Sequence, residues 1–358
     1  MTRRHDIDWL RVIAIGLLLI YHIAIAFQPW GVLIGFIQNN ETLESIWVPM
    51  SMLNVWRIPL LFFVSGMGVC FAIQKRNLKQ LIVERSKRIL LPFVFGMLAI
   101  VPLHLFIWQR YYHQDLSYWP NPGHLWFLGN IFIYVLLLSP LFMYLKKNGN
   151  PKLKRLFQSP IGLLIIMACF VIEAVLMKPE PFELYATTWH GFVLGLLAFL
   201  FGFCLAYSGE QIWQNLLKWK WLLVSLAASL FMIRLFIFEL QAPVYLVSIE
   251  SSLWIFSVFA FAYQYLNCPS KALSYLSQAV YPVYIIHMIW LHLASYFLFP
   301  TDIPTGIQLV LVIIFTAVGC FAMYEFVIRR INFLRPLFGL KSKSKTNHQS
   351  VVTSNAVV

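Results

Sequence analysis

Apolar residues in this chain form long uninterrupted blocks, and polar residues collect in the short segments between them. Each block is about 20 residues long, which is the length a helix needs to cross about 30 Å of hydrocarbon. The blocks predict membrane-spanning helices at about 9–29, 46–73, 89–108, 125–145, 160–177, 188–207, 220–238, 244–265, 279–299 and 306–328. The pattern therefore predicts an all-α, polytopic membrane protein with about ten transmembrane helices.

The composition agrees with this pattern and excludes a soluble protein. Of the 358 residues, 60% are hydrophobic and 11% are charged, whereas a globular domain has about 25% charged residues. Residues 1–340 are therefore expected to form one domain in a lipid bilayer. Residues 341–358 are rich in Lys, Ser, Thr and Asn, a composition that predicts a disordered cytoplasmic tail.

Basic residues exceed acidic ones by 27 to 14, giving a net charge of +13. In a soluble chain such an excess would suggest a nucleic-acid partner. Here most of the basic residues fall in loops that ten spans would place on the same side as the two termini. The positive-inside rule then predicts that both termini are cytoplasmic. We expect a multi-pass protein of the cell inner membrane and no nucleic-acid partner.

The first span contains three ionisable residues, Asp8, Arg11 and His22. Such groups are costly inside a membrane and are therefore candidates for a functional site. Asp8 and Arg11 are three residues apart and can pair on one helix face. Arg11 and His22 share a face because their separation is close to three turns, or roughly 16 Å along the axis. The residues alone leave open a simple role in anchoring and packing the helix.

The start of the span is not typical of a removable leader, although Arg3 and Arg4 precede an apolar run ending in a small-x-small pattern near Ala26. Asp8 and Arg11 interrupt that run, and the nine further spans require no leader. We therefore expect the first block to remain as a helix.

A second polar cluster, Arg85, Lys87 and Arg88, enters the third span. Arg85 and Arg88 lie three residues apart on one helix face, and with Lys87 they form a candidate phosphate clamp. A positive-inside anchor explains the same residues. The second span carries Arg57, and its Pro59, Gly66 and Gly68 predict a bent or broken helix that lines a cavity or is buried in protein.

Other polar residues include His124 with Trp126, at the predicted outer start of the fourth span, and His287 within the ninth span. His287 and His292 are five residues apart and do not share a helix face, and the chain has no H-E-x-x-H motif, so no metal site is expected. Walker, G-x-S-x-G and G-x-G-x-x-G motifs are also missing from the sequence.

Six short segments follow one another along the chain: Asp8-Trp-Leu-Arg11 with His22, Phe62-Phe-Val-Ser-Gly66, Arg85-x-x-Arg88, His124-Leu-Trp126, Tyr284-Ile-Ile-His287 and Tyr324-Glu325. In their order and spacing these segments resemble the acyltransferase-3 family of integral-membrane acyltransferases, and within it the glucan biosynthesis protein C branch. The resemblance covers nearly the whole chain. It implies transfer of an acyl group, usually from acyl-CoA, to a hydroxyl group at the outer face.

The resemblance assigns the catalytic role to His22. An imidazole with an ordinary pKa of about 6.5 suits a general base. Arg11 is expected beside it, held by Asp8. Acyl-CoA would be a co-substrate, and no permanently bound cofactor is expected.

The remaining candidates divide between the two substrates. Arg85, Arg88 and Lys87, extended by Arg11, would bind the CoA phosphates. At the outer side, the acceptor-binding candidates are Arg57, His124, Trp126 and His287.

The expected reaction is acetyl or succinyl transfer to a carbohydrate such as a periplasmic glucan or surface polysaccharide. The residues do not choose the acyl group, the acceptor or the oligomeric state. For the oxyanion of the reaction, Ser65, Tyr21, Trp126 and the N–H groups near Gly66 all remain candidates. A multi-span transporter of a sugar or lipid-linked glycan is the alternative function, although no inverted repeat relates the two halves.

Overall fold

A computed structural model gives the structure of residues 4–342. Most of the predicted disordered tail, residues 343–358, lies outside the described residues, so that prediction stays untested.

Within residues 4–342 the structure has ten helices that are long and apolar enough to cross a membrane, as the sequence predicts. They are α1 (His5–Ile25), α2 (Glu44–Ile73), α3 (Leu78–Tyr111), α4 (Gly123–Asn148), α5 (Pro160–Met177), α6 (Trp189–Ser208), α7 (Gln211–Phe236), α8 (Val244–Tyr265), α9 (Lys271–Leu298) and α10 (Thr305–Ile328). An even number of spans places Arg4 and Ser342 on one side. The chain is therefore a multi-pass, all-helical membrane protein.

The largest differences from the predicted boundaries are at polar helix starts. The third span begins at Leu78 instead of 89, because Asn77 and Gln80 form a reciprocal capping box that satisfies the free N–H groups of its first turn. The seventh and ninth spans also start earlier, at Gln211 and Lys271. The length of an apolar run identifies the apolar part of a helix. It misses polar first turns such as those of α3, α7 and α9.

Helix α2 lies at the centre and meets α6 at a close backbone crossing. A Cβ atom added to Gly66 would lie 1.9 Å from the Phe199 carbonyl oxygen, and one added to Gly202 would lie 2.1 Å from the Phe63 oxygen. Small residues allow such backbone approach between helices in a membrane. Gly191 and Gly195 on α6 also meet close neighbours, which supports a packing role for that Gly-x-x-x-Gly pair.

Pro59 does not break α2, which is continuous from Trp47 to Ile73. Proline lacks an N–H group and leaves the carbonyl of Val55 without its helical partner. That carbonyl accepts hydrogen bonds from Ser251 Oγ at 2.8 Å and Tyr185 Oη at 3.0 Å. The neighbouring helix and loop thus satisfy the freed group. Of the two predicted alternatives, a broken helix is wrong, and a bent helix stays a prediction.

A buried ion pair joins α7, α8 and α2. Arg234 on α7 donates to both carboxylate oxygens of Glu250 on α8, at 2.6 and 3.0 Å, and to the Ser51 carbonyl at 3.1 Å. Arg234 also approaches Glu183, in the loop before α6, at 3.5 Å. Two-point pairing of this kind fixes geometry as well as charge, so it fixes α7 against α8. The Ser51 and Glu183 contacts then link this pair to α2 and to the α5–α6 loop.

Candidate active site

A cavity of about 970 Å³ runs between α1, α2, α3, α4 and α9. At the end of the cavity nearer Arg4 and Ser342, its polar lining consists chiefly of Arg11, Arg76, Glu84, Arg85, Arg88, Arg335 and Lys341. Farther along, the lining includes Tyr21, His22, Asn54, Arg57, His124, Trp126, Glu183 and Tyr185. One continuous space therefore connects a cationic end with a buried, aromatic and polar end.

The cationic end is organised around Gly68 and Glu84. Arg85 Nη2 donates to the Gly68 carbonyl at 3.4 Å, and a Cβ atom added to Gly68 would lie 3.7 Å from Arg11 Nη2. Glu84 lies 3.1 Å from Arg88, 3.5 Å from Arg85 and 3.8 Å from Arg76 in the loop between α2 and α3. Because one carboxylate, that of Glu84, contacts several guanidinium groups, this end of the cavity keeps a net positive charge. Such a charge favours the binding of phosphate.

The structure brings three of the predicted donor-side residues together, Arg11, Arg85 and Arg88. Lys87 is exposed and lies outside the cavity lining, so its predicted place in the clamp has no geometrical support. Residues 86–90 form a π-helical turn, which shifts the register of the side chains around it. Asp8 lies outside the lining and interacts electrostatically with Arg11.

His22 lies midway along the cavity and forms a hydrogen bond with a second histidine, His287. Its Nδ1 lies 2.8 Å from His287 Nε2, and His287 Nδ1 lies 2.6 Å from the Tyr284 carbonyl oxygen. A carbonyl only accepts, so His287 carries its proton on Nδ1 and uses Nε2 as an acceptor. Neutral His22 must then donate from Nδ1, which leaves its Nε2 with a lone pair.

This contact corrects the sequence-based role of His287. The side chain is fully buried and is absent from the cavity lining, which leaves it no direct contact with an acceptor in the cavity. His287 instead orients His22.

Three more imidazoles continue the cluster. His124 lines the cavity, hydrogen bonds through Nε2 to the Ile285 carbonyl at 3.0 Å, and packs with its ring centroid 5.0 Å from that of His287. The ring of His104, from α3, lies 5.5 Å from His124 and 5.0 Å from His292. Sequence analysis missed His104, although a histidine inside an apolar span is itself a signal.

At the end of the cavity away from the cationic cluster, Arg57 projects from α2 beside Tyr21. Its guanidinium carbon lies 4.1 Å from the Tyr21 ring centroid, and its Nη2 donates to Asn54 Oδ1 at 3.3 Å. Trp126, from the start of α4, lines the same space. The structure therefore places the predicted Arg57, His124 and Trp126 in one cavity with His22.

The loop between α5 and α6 closes this end with Glu183 and Tyr185, which sequence analysis did not identify. Burial raises the pKa of the Glu183 carboxyl, and nearby Arg234 opposes that shift. Burial also raises the pKa of the Tyr185 hydroxyl well above its ordinary value. No motif marks these residues, because a long-range ion pair and the α2 carbonyl position them.

Comparison with known proteins gives one family. A family model described as "Acyltransferase domain" matches residues 4–325, which is most of the chain. No curated protein and no solved structure matches. The matched range contains the ten helices almost to the end of α10, together with the histidine cluster and most of the cavity-lining cations. The chain therefore belongs to this acyltransferase family and is a membrane acyltransferase.

Proposed function

We propose that the protein is an O-acyltransferase that moves an acetyl or succinyl group from cytoplasmic acyl-CoA to a hydroxyl group of a carbohydrate. The observation that carries this proposal is the continuous cavity, which joins a cluster of cations to the imidazole of His22. The cytoplasmic position of both termini, the inner membrane and a periplasmic glucan acceptor are parts of the proposal that derive from the loop charges and the family resemblance.

The cationic end suits the donor. CoA carries phosphate groups, and Arg85 and Arg88 face the cavity where these would enter. Guanidinium groups bind phosphate through two parallel hydrogen bonds. Arg11 and His22 lie roughly 16 Å apart along α1, a distance that an extended pantetheine arm can cover. The thioester would then reach the depth of His22 while the nucleotide stays at the cationic end.

His22 is the proposed general base, because its Nε2 carries the lone pair that the His287 contact leaves available. The acceptor hydroxyl gives its proton to Nε2 as its oxygen forms a bond with the thioester carbon. The carbon–sulfur bond then breaks, and the imidazolium returns the proton to the leaving thiolate. The products are an ester and CoA with a free thiol, so no other reactant is required.

The buried end suits a hydroxylated acceptor. Trp126 offers an aromatic face, and Asn54, His124 and Tyr185 line the same space. Aromatic rings stack on the apolar faces of sugars, while planar polar groups hydrogen bond to hydroxyls. The carboxylate of Glu183 adds an acceptor for sugar hydroxyl protons.

The decisive experiment uses purified full-length protein in lipid vesicles with acyl-CoA labelled in the acyl group. We expect free CoA to appear together with labelled carbohydrate when a glucan or oligosaccharide acceptor is supplied. Acetyl-CoA and succinyl-CoA are tested separately to identify the donor. A carrier would instead move labelled solute across the vesicle membrane without releasing CoA, and that result would replace the proposal.

A further inference from the structure

Arg57 is a fully buried charge without an anionic partner among residues 4–342. Its side chain is 1% exposed, and no carboxylate is among the groups that act on it electrostatically in the described part of the chain. Its Nε atom has no hydrogen-bond partner there. A buried, unpaired charge is costly, so a guanidinium kept in this state requires a function.

The hydrogen bonds around Arg57 fix which groups can donate into the cavity. Arg57 donates to Asn54 Oδ1, and Asn54 Nδ2 donates to Tyr21 Oη at 3.0 Å. A guanidinium cannot accept, so the amide must face it with oxygen. The Tyr21 oxygen therefore already accepts one hydrogen bond, and its own proton remains available. Tyr21, Asn54 and Arg57 all line the cavity.

This group lies at the depth of His22. His22 is eleven positions from Arg11 on α1, and Arg57 is eleven positions from Gly68 on α2. The helices run antiparallel with Arg11 beside Gly68, while Arg57 Nη1 donates to the Leu17 carbonyl at 3.4 Å.

Other candidates for stabilising a developing oxyanion fit less well. Ser65 Oγ already donates to the Leu61 carbonyl at 2.8 Å. Gly66 faces α6, where its added Cβ would meet Phe199, so the backbone there packs against a helix instead of the cavity. Tyr21 is the candidate that the hydrogen-bond pattern favours, and Arg57 supplies the positive charge beside it.

We propose that Arg57 and Tyr21, oriented by Asn54, stabilise the oxyanion of the tetrahedral intermediate. This inference rests on the acyltransferase function proposed above. When the acceptor oxygen bonds to the thioester carbon, the carbonyl π electrons move to its oxygen. The negative charge returns to the carbonyl bond as the thiolate leaves. Arg57 thus gains its anionic partner only during the reaction, which is the condition for lowering the barrier.

The kinetic test compares Arg57→Gln, Arg57→Lys and Tyr21→Phe in vesicles. We expect Arg57→Gln to lower kcat by about 10²–10³-fold, the usual effect of losing one oxyanion donor. The KM for acyl-CoA should change less than about threefold, and Arg57→Lys should recover part of the rate. The double variant should lose less kcat than the product of the two single fold-losses, because both groups stabilise the same oxygen. A kcat equal to wild type in Arg57→Gln would overturn the inference.

A binding test separates this inference from the proposed function. The probe is a trifluoromethyl ketone analogue of acetyl-CoA, whose hydrate resembles the tetrahedral intermediate, and its affinity is compared with that of CoA. Wild type should prefer the analogue at least tenfold, and Arg57→Gln should lose the preference while binding CoA normally. Equal preference in both proteins would overturn the oxyanion role and leave the acyltransferase function standing. Failure of wild type to bind CoA or the analogue would overturn both.

A structural or carboxylate-binding role gives different results. If Arg57 only stabilised the fold, Arg57→Gln would lower Tm and the yield of inserted protein without selective loss of kcat. If it bound a carboxylate on the acyl group, the loss would appear with succinyl-CoA and be absent with acetyl-CoA. Either result would contradict the inference.

Discussion

His22 Nδ1 lies 2.8 Å from His287 Nε2, with the two rings within 3° of parallel. The contact joins α1 to α9 across 265 positions of sequence. It is directional, because the Tyr284 carbonyl fixes the proton on the far nitrogen of His287. One ring nitrogen of His22 is thereby kept as an acceptor at the depth where acyl transfer is proposed.

His22→Ala is expected to abolish transfer while the protein remains folded and inserted. General-base catalysis contributes about 10²–10⁴-fold to rate, so we expect a loss of at least 10²-fold in kcat. Labelled-acyl incorporation measures the activity, and size-exclusion profiles in detergent report folding. His113→Ala is the matched control, since His113 is exposed and lies away from the cavity. A correctly inserted, fully active His22→Ala protein would remove His22 from catalysis.

His287→Phe is expected to lower kcat by about 10–100-fold, the effect known for losing the hydrogen-bond partner that orients a metal-bound imidazole. The ring shape is kept, while the hydrogen bond to His22 is lost. Because His287 does not line the cavity, the KM for the acceptor should stay within about twofold. His287→Gln, which retains an acceptor oxygen, should recover part of the rate. A raised acceptor KM at normal kcat would restore the acceptor-binding role first assigned from sequence.

Arg85→Ala combined with Arg88→Ala should weaken acyl-CoA binding. Each charge-assisted contact contributes about 1.5–3 kcal/mol, so an affinity loss of at least tenfold is expected for the pair. Isothermal titration with CoA measures it without requiring turnover. Lys79→Ala is the control, because Lys79 is exposed on the same helix outside the cavity lining. Unchanged affinity in the double variant would reduce the two arginines to topology signals.

Gly66→Ala and Gly202→Ala should each destabilise the protein. Their added methyl groups would meet backbone atoms of the facing helix at 1.9 and 2.1 Å, and overpacking of this kind costs about 1–3 kcal/mol. The Tm in detergent should fall for both. Gly16→Ala, where nothing lies within 4 Å of the new methyl group, should leave Tm unchanged. An equal Tm for all three would contradict the close α2–α6 crossing.

Arg234→Met is expected to be more destabilising alone than together with Glu250→Leu. Removing one member of a buried ion pair leaves an uncompensated charge and costs about 3–5 kcal/mol, whereas an apolar pair leaves none. The amount of folded protein after membrane extraction measures the difference. Glu183 still offers Arg234 a weaker partner at 3.5 Å, so Glu250→Leu alone should be the milder of the single changes. A loss in the double variant equal to the sum of the two single losses would show that the pair is not coupled.

The sequence predicts the membrane architecture well because it follows from local properties of the chain. Apolar runs of span length must lie in hydrocarbon, so run length identifies the spans. The orientation that loop charge gives them stays a prediction. The spacing of Arg11 and His22 within one helix likewise needs only the helical repeat. The early start of α3 at Leu78 was missed, since its capped first turns are polar and lie outside any apolar run.

The site depends on contacts between distant segments, and spacing within one helix does not reveal these. Sequence analysis assigned His287 to the acceptor and Lys87 to the donor phosphates. In the structure His287 hydrogen bonds to His22, and Lys87 lies outside the cavity lining. His104 and Glu183 join the site only because α3 and the α5–α6 loop pack there. Hydrophobicity and helical periodicity thus determined ten spans and a polar face on α1. The packing of those spans decided which polar groups meet, because an unpaired polar group in hydrocarbon must find its partner on another helix.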